Sequence, residues 1–191
     1  MIIFIPTIPV LEGSTIFLRP INPEKDCKQW YEIMKDPEMH RWTGNTVPIN
    51  VDEIKELLQK YKDLENIISW SVILKNSGEM IGTYWITVPK EDEKNHLIIA
   101  SEAQRIAHEF WRKGITREAR TLIYNYVFLT LKVVEIHAQA WNSNINSCRS
   151  MEKMGFHLEK QIKRLFTKYN NNFIENHYVL YKEEWLKYIR I

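Results

Sequence analysis

Cysteine is scarce in this chain of 191 residues: Cys27 and Cys148 are the only two. Two thiols are too few for a disulfide scaffold, and no CxxC or Cys/His pairing points to structural zinc. A reducing cytoplasm is therefore the expected compartment. Net charge is almost absent as well, +2 from 26 Lys+Arg against 24 Asp+Glu. No basic surface marks nucleic acid as a partner, and the basic run "KQIKRLFTKY" does not change that balance. Neither GxxxxGK[ST] nor GxGxxG occurs, so ATP and NAD are not expected. The six histidines are scattered with no pair at helical ligand spacing, and no metal is expected. Long hydrophobic runs are missing too. "MIIFIPTIPV" is apolar, but Pro6 and Pro9 break it, and it lacks the basic start and the cleavage site of a signal peptide. No membrane association follows; the segment reads as an arm that packs on the domain or on a second subunit, the latter giving a homodimer.

What is present is 45% hydrophobic residues, in a length that suits one domain. "GSTIFLRPI" alternates as a strand, and "NPEKDCKQWYEIMKD" opens with Asn22 as cap and Pro23 at the first helical position. "VDEIKELLQKYKDLE" is a second amphipathic helix, with Ile54, Leu57, Leu58 and Tyr61 on one face. "SWSVILK" and "MIGTYWITV" flank the turn "NSGE" as a hairpin, which "HLIIASEAQRIA" extends beyond a charged loop at Lys90 to Asn95. "ITREARTLIYNYVFL" reads as a helix, "KVVEIHAQAW" as a strand, "INSCRSMEKM" as a helix, and two strands around "NNN" close the chain. The order is β α α β β β α β α β β. The expected division is an arm at 1–12, one domain at 13–183 and a helical tail at 184–191.

"FWRKGITREA", Phe110 to Ala119, joins a strand to a helix through a glycine among three cations. Such a helix start presents unpaired N–H groups and the positive end of the helix dipole, which suits a diphosphate. A solvated helix start accounts equally well for the same residues. Downstream, "NINSCRSMEKMGF", Asn144 to Phe156, follows the next strand.

The two motifs in this β order resemble the GNAT superfamily of acyl-CoA N-acyltransferases, and within it the RimJ/RimL-like branch. There the loop commonly reads "FWGKGIATEA", and the second motif "N-x-x-S" followed by "EK-x-GF". The opening "IFLRPINPEKD" is similar to that branch as well, and the resemblance spans roughly Gly13 to Tyr181. It implies an α/β (α+β) fold with a mixed, mostly antiparallel sheet of six or seven strands. Helices would flank the sheet, which would splay between its fourth and fifth strands to admit acetyl-CoA. The implied reaction is direct transfer of an acetyl group to a primary amine, on a protein N-terminus or a small molecule.

By the same resemblance, the backbone from Trp111 through Arg112, Lys113, Gly114, Ile115 and Thr116 would hold the CoA diphosphate. Arg112, Lys113 and Arg117 would add side-chain contacts, and Arg105, Ile106 and Ala107 would meet the pantetheine through their main chain. Asn144 would cap the helix beside that arm, and Ser147 would protonate the departing thiolate, because Met151 stands where relatives carry a tyrosine. Where the branch has a glutamate as base, this chain has Ser101, with Glu102 adjacent as the expected base; His137, Glu135 or water are alternatives. Alternation along a strand would turn Glu102 away from the cleft unless a bulge re-aims it. Thr116 replaces the small residue of the loop. With Ser101, Thr116 and Met151 out of pattern, a degenerate acyl-CoA sensor without transferase activity is the alternative. Cys148 has no His and acid to pair with and reads as a packed side chain. Trp30, Trp42, Tyr84, Trp85 and Trp141 are either core residues or the wall of an acceptor pocket.

Overall fold

A computed structural model describes residues 7–91 and 97–189. The first six residues of the expected arm, 92–95 of the charged loop with His96 of the strand after it, and the last two of the expected tail lie outside the described residues. Nine strands form the sheet: β1 (Leu11–Glu12), β2 (Ile16–Pro20), β3 (Ile67–Leu74), β4 (Met80–Thr87), β5 (Lys90–Glu91), β6 (Ile98–Ile106), β7 (Glu135–Trp141), β8 (His157–Phe166) and β9 (Asn171–Tyr181). Their spatial order is β1-β2-β3-β4-β6-β7-β9-β8, with β5 paired to β6. The seven longer strands are those expected. β1 and β5 are two-residue additions too short to carry an alternation signal.

Every pairing is antiparallel except that of β6 with β7, which is parallel and spans only Ile99↔Glu135, Ala100↔Ile136 and Ser101↔His137. Beyond Ser101 the two strands part. β6 stays paired to β4 from Glu102 to Ile106, and β7 stays paired to β9 as far as Trp141. The splay thus lies between the fourth and fifth long strands, as the resemblance implied.

Helices α1 (Pro23–Met34) and α2 (Val51–Asp63) cover one face, packing Trp30, Met34, Ile54 and Leu58 over Ile73 and Met80. Asn22 and Asn50 cap them, accepting from the N–H of Lys25 and Glu53. On the opposite face lie α3 (Ile115–Asn125), α4 (Ile145–Glu152) and α5 (Lys182–Tyr188). The larger core, with Ile123, Tyr124, Met151 and Trp185, sits beneath them. β3 is flanked by strands and covered on both faces, so its pattern is a continuous apolar run rather than an alternation.

The segment expected as a tail begins its helix at Lys182, and Trp185 is fully buried with its indole N–H donated to Asn125 at 3.0 Å. Residues 7–12 also join the fold: Trp70 donates to the Pro9 carbonyl at 2.9 Å, and β1 pairs with β2. The basic run noted in the sequence occupies the edge strand β8, where exposed charges disfavour edge-to-edge pairing. Among the described residues, no helix is long and apolar enough to cross a membrane.

Candidate active site

The splay opens a cavity of about 410 Å³. Its walls come from seven places: α1 and α2, the loop at 42–45, β4, β6, α3 through Arg120, β7 with α4, and β9. Trp30, Trp42, Trp85 and Trp141 line it, whereas Tyr84 turns to the α3 face. Of the five aromatics weighed in the sequence, four are therefore cavity wall.

Alternation decides which main-chain groups face the gap. The Ala107 N–H donates to the Ile81 carbonyl at 2.8 Å, so Ala107, Arg105 and Ala103 direct their backbones at β4. Glu102, Gln104 and Ile106 direct theirs into the splay. Likewise the Asn142 N–H donates to Ile174 at 2.8 Å, which leaves Gln139 and Trp141 facing the gap from β7. The expectation for Arg105 and Ala107 is corrected by this register: of the three residues from Arg105 to Ala107, only Ile106 offers its main chain to a ligand. Its carbonyl already accepts the Trp111 indole N–H at 2.7 Å, leaving the Ile106 N–H. That bond ties the glycine loop to the end of the β6 edge.

In the loop, Gly114 has φ +83° and precedes the first residue of α3, with no side chain capping the helix. A Cβ there would meet open space, so backbone conformation, not crowding, is what favours glycine. Arg112 also takes a positive φ, 62°. The first-turn N–H groups at Ile115, Thr116 and Arg117 lack helical partners, the arrangement in which a helix start can hold an anion. The side chains are less committed to it. Lys113 lies 5.4 Å from the Phe110 ring centroid, Arg117 lies 5.7 Å from that of Tyr188, and Arg112 is exposed. Glu118 anchors the start of α3 from the other side, accepting from the Ser14 hydroxyl and from the N–H of Thr15 (2.8 Å) and Ile16. Burial opposes its charge, but these donors outweigh burial and hold its carboxyl below the ordinary range.

Asn144 caps α4 by accepting the Ser147 N–H at 3.3 Å, and both residues line the cavity. The Ser147 hydroxyl has no hydrogen bond to any described residue and stands at the positive end of α4. Met151 is buried beside it. Cys148 is buried, its thiol directed at the Trp141 carbonyl and accepting from Asn176, as a packed side chain would be.

Glu102 does reach the cavity, from the α3 face, without a bulge in β6. Its carboxylate is not free to act as the expected base. It accepts from Arg120 at 2.8 Å, from Tyr124 at 2.6 Å and from Tyr84. Burial alone would disfavour the Arg120 charge, but Glu102 and Tyr124 raise its pKa above the usual value. Burial and Glu102 also hold the Tyr124 hydroxyl protonated, well above the normal range. The four side chains form a buried hydrogen-bonded cluster that ties β6 to α3, satisfied except at Arg120 Nε. The alternatives are no freer: His137 pairs with Glu135 at 3.1 Å, and neither lines the cavity.

Two atoms at the gap break the pattern of satisfied groups. Arg120 Nε and Gln104 Oε1 are buried without a hydrogen-bond partner, and both residues line the cavity. Sequence reasoning missed them, along with Arg120 and Glu175, because their place in the site depends on which strands part.

The model of the acetyltransferase (GNAT) domain matches residues 15–157. The chain belongs to the GNAT family of acetyltransferases. A probable N-acetyltransferase of Bacillus subtilis (strain 168), YjcK, is 26% identical over 183 residues, covering 90% of this chain and 95% of that one. The uncharacterized N-acetyltransferase p20 of Bacillus licheniformis is 24% identical over 136 residues, covering 70% and 72%. Among solved structures, a GCN5-related N-acetyltransferase from Brucella melitensis superposes with TM-score 0.83 at 20% identity, covering 95% of this chain and 82% of that one. Spermidine N-acetyltransferase from Vibrio cholerae, in complex with CoA and spermine, does so with TM-score 0.75 at 17% identity, covering 91% and 99%.

Proposed function

We propose that the protein transfers the acetyl group of acetyl-CoA to a primary amine by direct attack. The observation that carries this reading is the gap between β6 and β7, edged by the unpaired main-chain groups of Glu102, Gln104 and Ile106. An unpaired buried polar group costs on the order of 1–3 kcal/mol. The main-chain groups of Glu102, Gln104 and Ile106 that face the gap would pair with the amides of a pantetheine arm, so the residues present fit the cofactor. The loop at Trp111 to Thr116, with Arg117, would bind its diphosphate, and Asn144 would stand beside the arm.

When bound, acetyl-CoA supplies an acyl group already activated as a thioester. Main-chain N–H groups of β6 at the gap polarise the acyl carbonyl. The Ser147 hydroxyl would pass a proton to the sulfur as it leaves and regain one from the water that has taken the amine's proton, with the helix end behind it steadying the transient charge. With Glu102 bound to three donors, water takes the proton of the attacking amine. The motifs "FWRKGITREA" and "NINSCRSMEKMGF" support placement in the RimJ/RimL-like branch. Two free cysteines support a cytoplasmic location, and the N-terminal arm is the proposed seat of a homodimer.

The test is thiol release from acetyl-CoA over a panel of amines. Turnover is expected with at least one amine. CoA binding without thiol release on any of them would reassign the protein as a sensor. Ser147→Ala should lower kcat by roughly 10²-fold, the lower end for general acids, while CoA affinity stays within about twofold. An unchanged kcat would remove Ser147 from the chemistry.

A further inference from the structure

The α1/α2 half of the cavity contains a cation with no anion. Along β6, Arg105 projects to the same face as Ser101 and Ala103, opposite Glu102 and Gln104. It lines the cavity with Trp42, Asn45, Leu57 and Tyr61. The other charged side chains of the wall are matched: Arg120 with Glu102 at 2.8 Å, and Glu175 with Arg164 at 3.1 Å. Arg105 makes no ion pair with any described residue. Its guanidinium meets the Asn45 amide oxygen, 2.9 Å from Nη2 and 3.1 Å from Nη1, with that amide oriented so that oxygen faces the fork. A neutral oxygen thus sits where a planar anion would pair with both N–H groups.

The loop carrying Asn45 is held in place from far along the chain. Lys168 Nζ donates to the carbonyls of His40 at 2.6 Å and Asn45 at 3.0 Å, and the Tyr169 hydroxyl donates to that of Arg41 at 2.8 Å. Lys168 adds a second positive charge behind the loop. His40 feels both: burial lowers its pKa, and Arg105 and Lys168 lower it further. Burial also pulls the Arg105 guanidinium below its ordinary value, as expected of a cation without a counter-charge.

We infer that the acceptor is a primary amine that also carries a carboxylate or phosphate, which Arg105 grips with its fork beneath the Asn45 loop. The inference rests on the transfer reading and deepens it. A polycation finds the wrong charge in this half of the cavity. The acceptor class therefore differs from the spermine held by the Vibrio cholerae neighbour.

Matched amines test this: β-alanine against propylamine for the carboxylate, glucosamine 6-phosphate against glucosamine for the phosphate, and spermidine as the polycation. In at least one pair the anionic member should have the higher kcat/KM, by about tenfold or more. Arg105→Met should cut that ratio by about tenfold. Asn45→Asp should cut it similarly while leaving Arg105 in place, because the new carboxylate neutralises the fork. Equal rates within both pairs, spermidine as the best acceptor, or ratios untouched by both variants would overturn the inference. Titration of the cavity tryptophans' fluorescence with the same amines, with and without CoA, separates this from failure of transfer. If no amine releases thiol, saturable binding of an anionic member that both variants weaken upholds the anion site. No such preference overturns it. Should Arg105→Met fail to fold by its melting curve, Asn45→Asp decides.

Discussion

Arg112 stands where relatives of this loop commonly carry glycine, and its backbone shows why glycine suits the place: φ is 62°. A side chain in that conformation costs about 1–2 kcal/mol relative to glycine. The Arg112 side chain is exposed and makes no hydrogen bond or ion pair with any described residue that would offset the cost. Arg112→Gly should therefore raise the melting temperature by about 2–4 °C per kcal/mol recovered, read by a thermal melt without ligand. An unchanged or lower value would mean that the long side chain stabilises the loop in some other way. Titration with CoA then reports whether the arginine repays its strain with a phosphate contact. Thr116, another departure in the loop along with Arg117, is half-buried in the first turn, where it contributes a backbone N–H whatever its side chain.

At the scale of elements, what was legible in the sequence was local. The caps Asn22 and Asn144, the glycine that opens α3 and the strand order each follow from residues within one turn or one alternation. Glu102 shows where that reading stops. Alternation placed it on the face away from Ser101, correctly, but its three partners come from β4 and α3, 18 to 22 residues distant. No periodicity announces that Arg120, on an otherwise apolar helix face, belongs to a strand carboxylate. Gly82 contributes to the same join. A Cβ there would stand 2.4 Å from the Arg105 carbonyl oxygen, so glycine is what lets β4 and β6 close where Arg105 sits. If the cluster fastens β6 to α3, Glu102→Gln leaves a buried guanidinium without its charge partner. It should cost about 3–5 kcal/mol by denaturant unfolding. The double variant Glu102→Gln/Arg120→Met should recover much of that loss, because it removes the stranded charge. A stability unchanged by Glu102→Gln would free the carboxylate for the chemistry first expected of it.

At the scale of the whole molecule, the site joins regions far apart in the chain: the β8–β9 turn holds the loop at 40–45, residues 123 to 128 positions away. Such long-range closure left the acceptor wall illegible in the sequence, although its tryptophans were visible. It also determines how protons move. Each carboxylate at the cavity is spoken for, Glu102 by Arg120 and two tyrosines, Glu175 by Arg164 and by His177 at 2.8 Å. On the proposed transfer, the acceptor would then lose its proton to water before it attacks, and only its neutral fraction would react. Below the amine's own pKa, kcat/KM should rise tenfold per pH unit and level off above it. The plateau should move with the acceptor. An α-amino group, near 8, and a lysine-like amine, near 10.4, should give curves displaced by about two pH units. If the two curves instead break at one common pH near neutrality, a protein group removes the proton. His177 is then the first residue to substitute, because its ring nitrogens meet Glu175 and Gln139, both of the cavity wall.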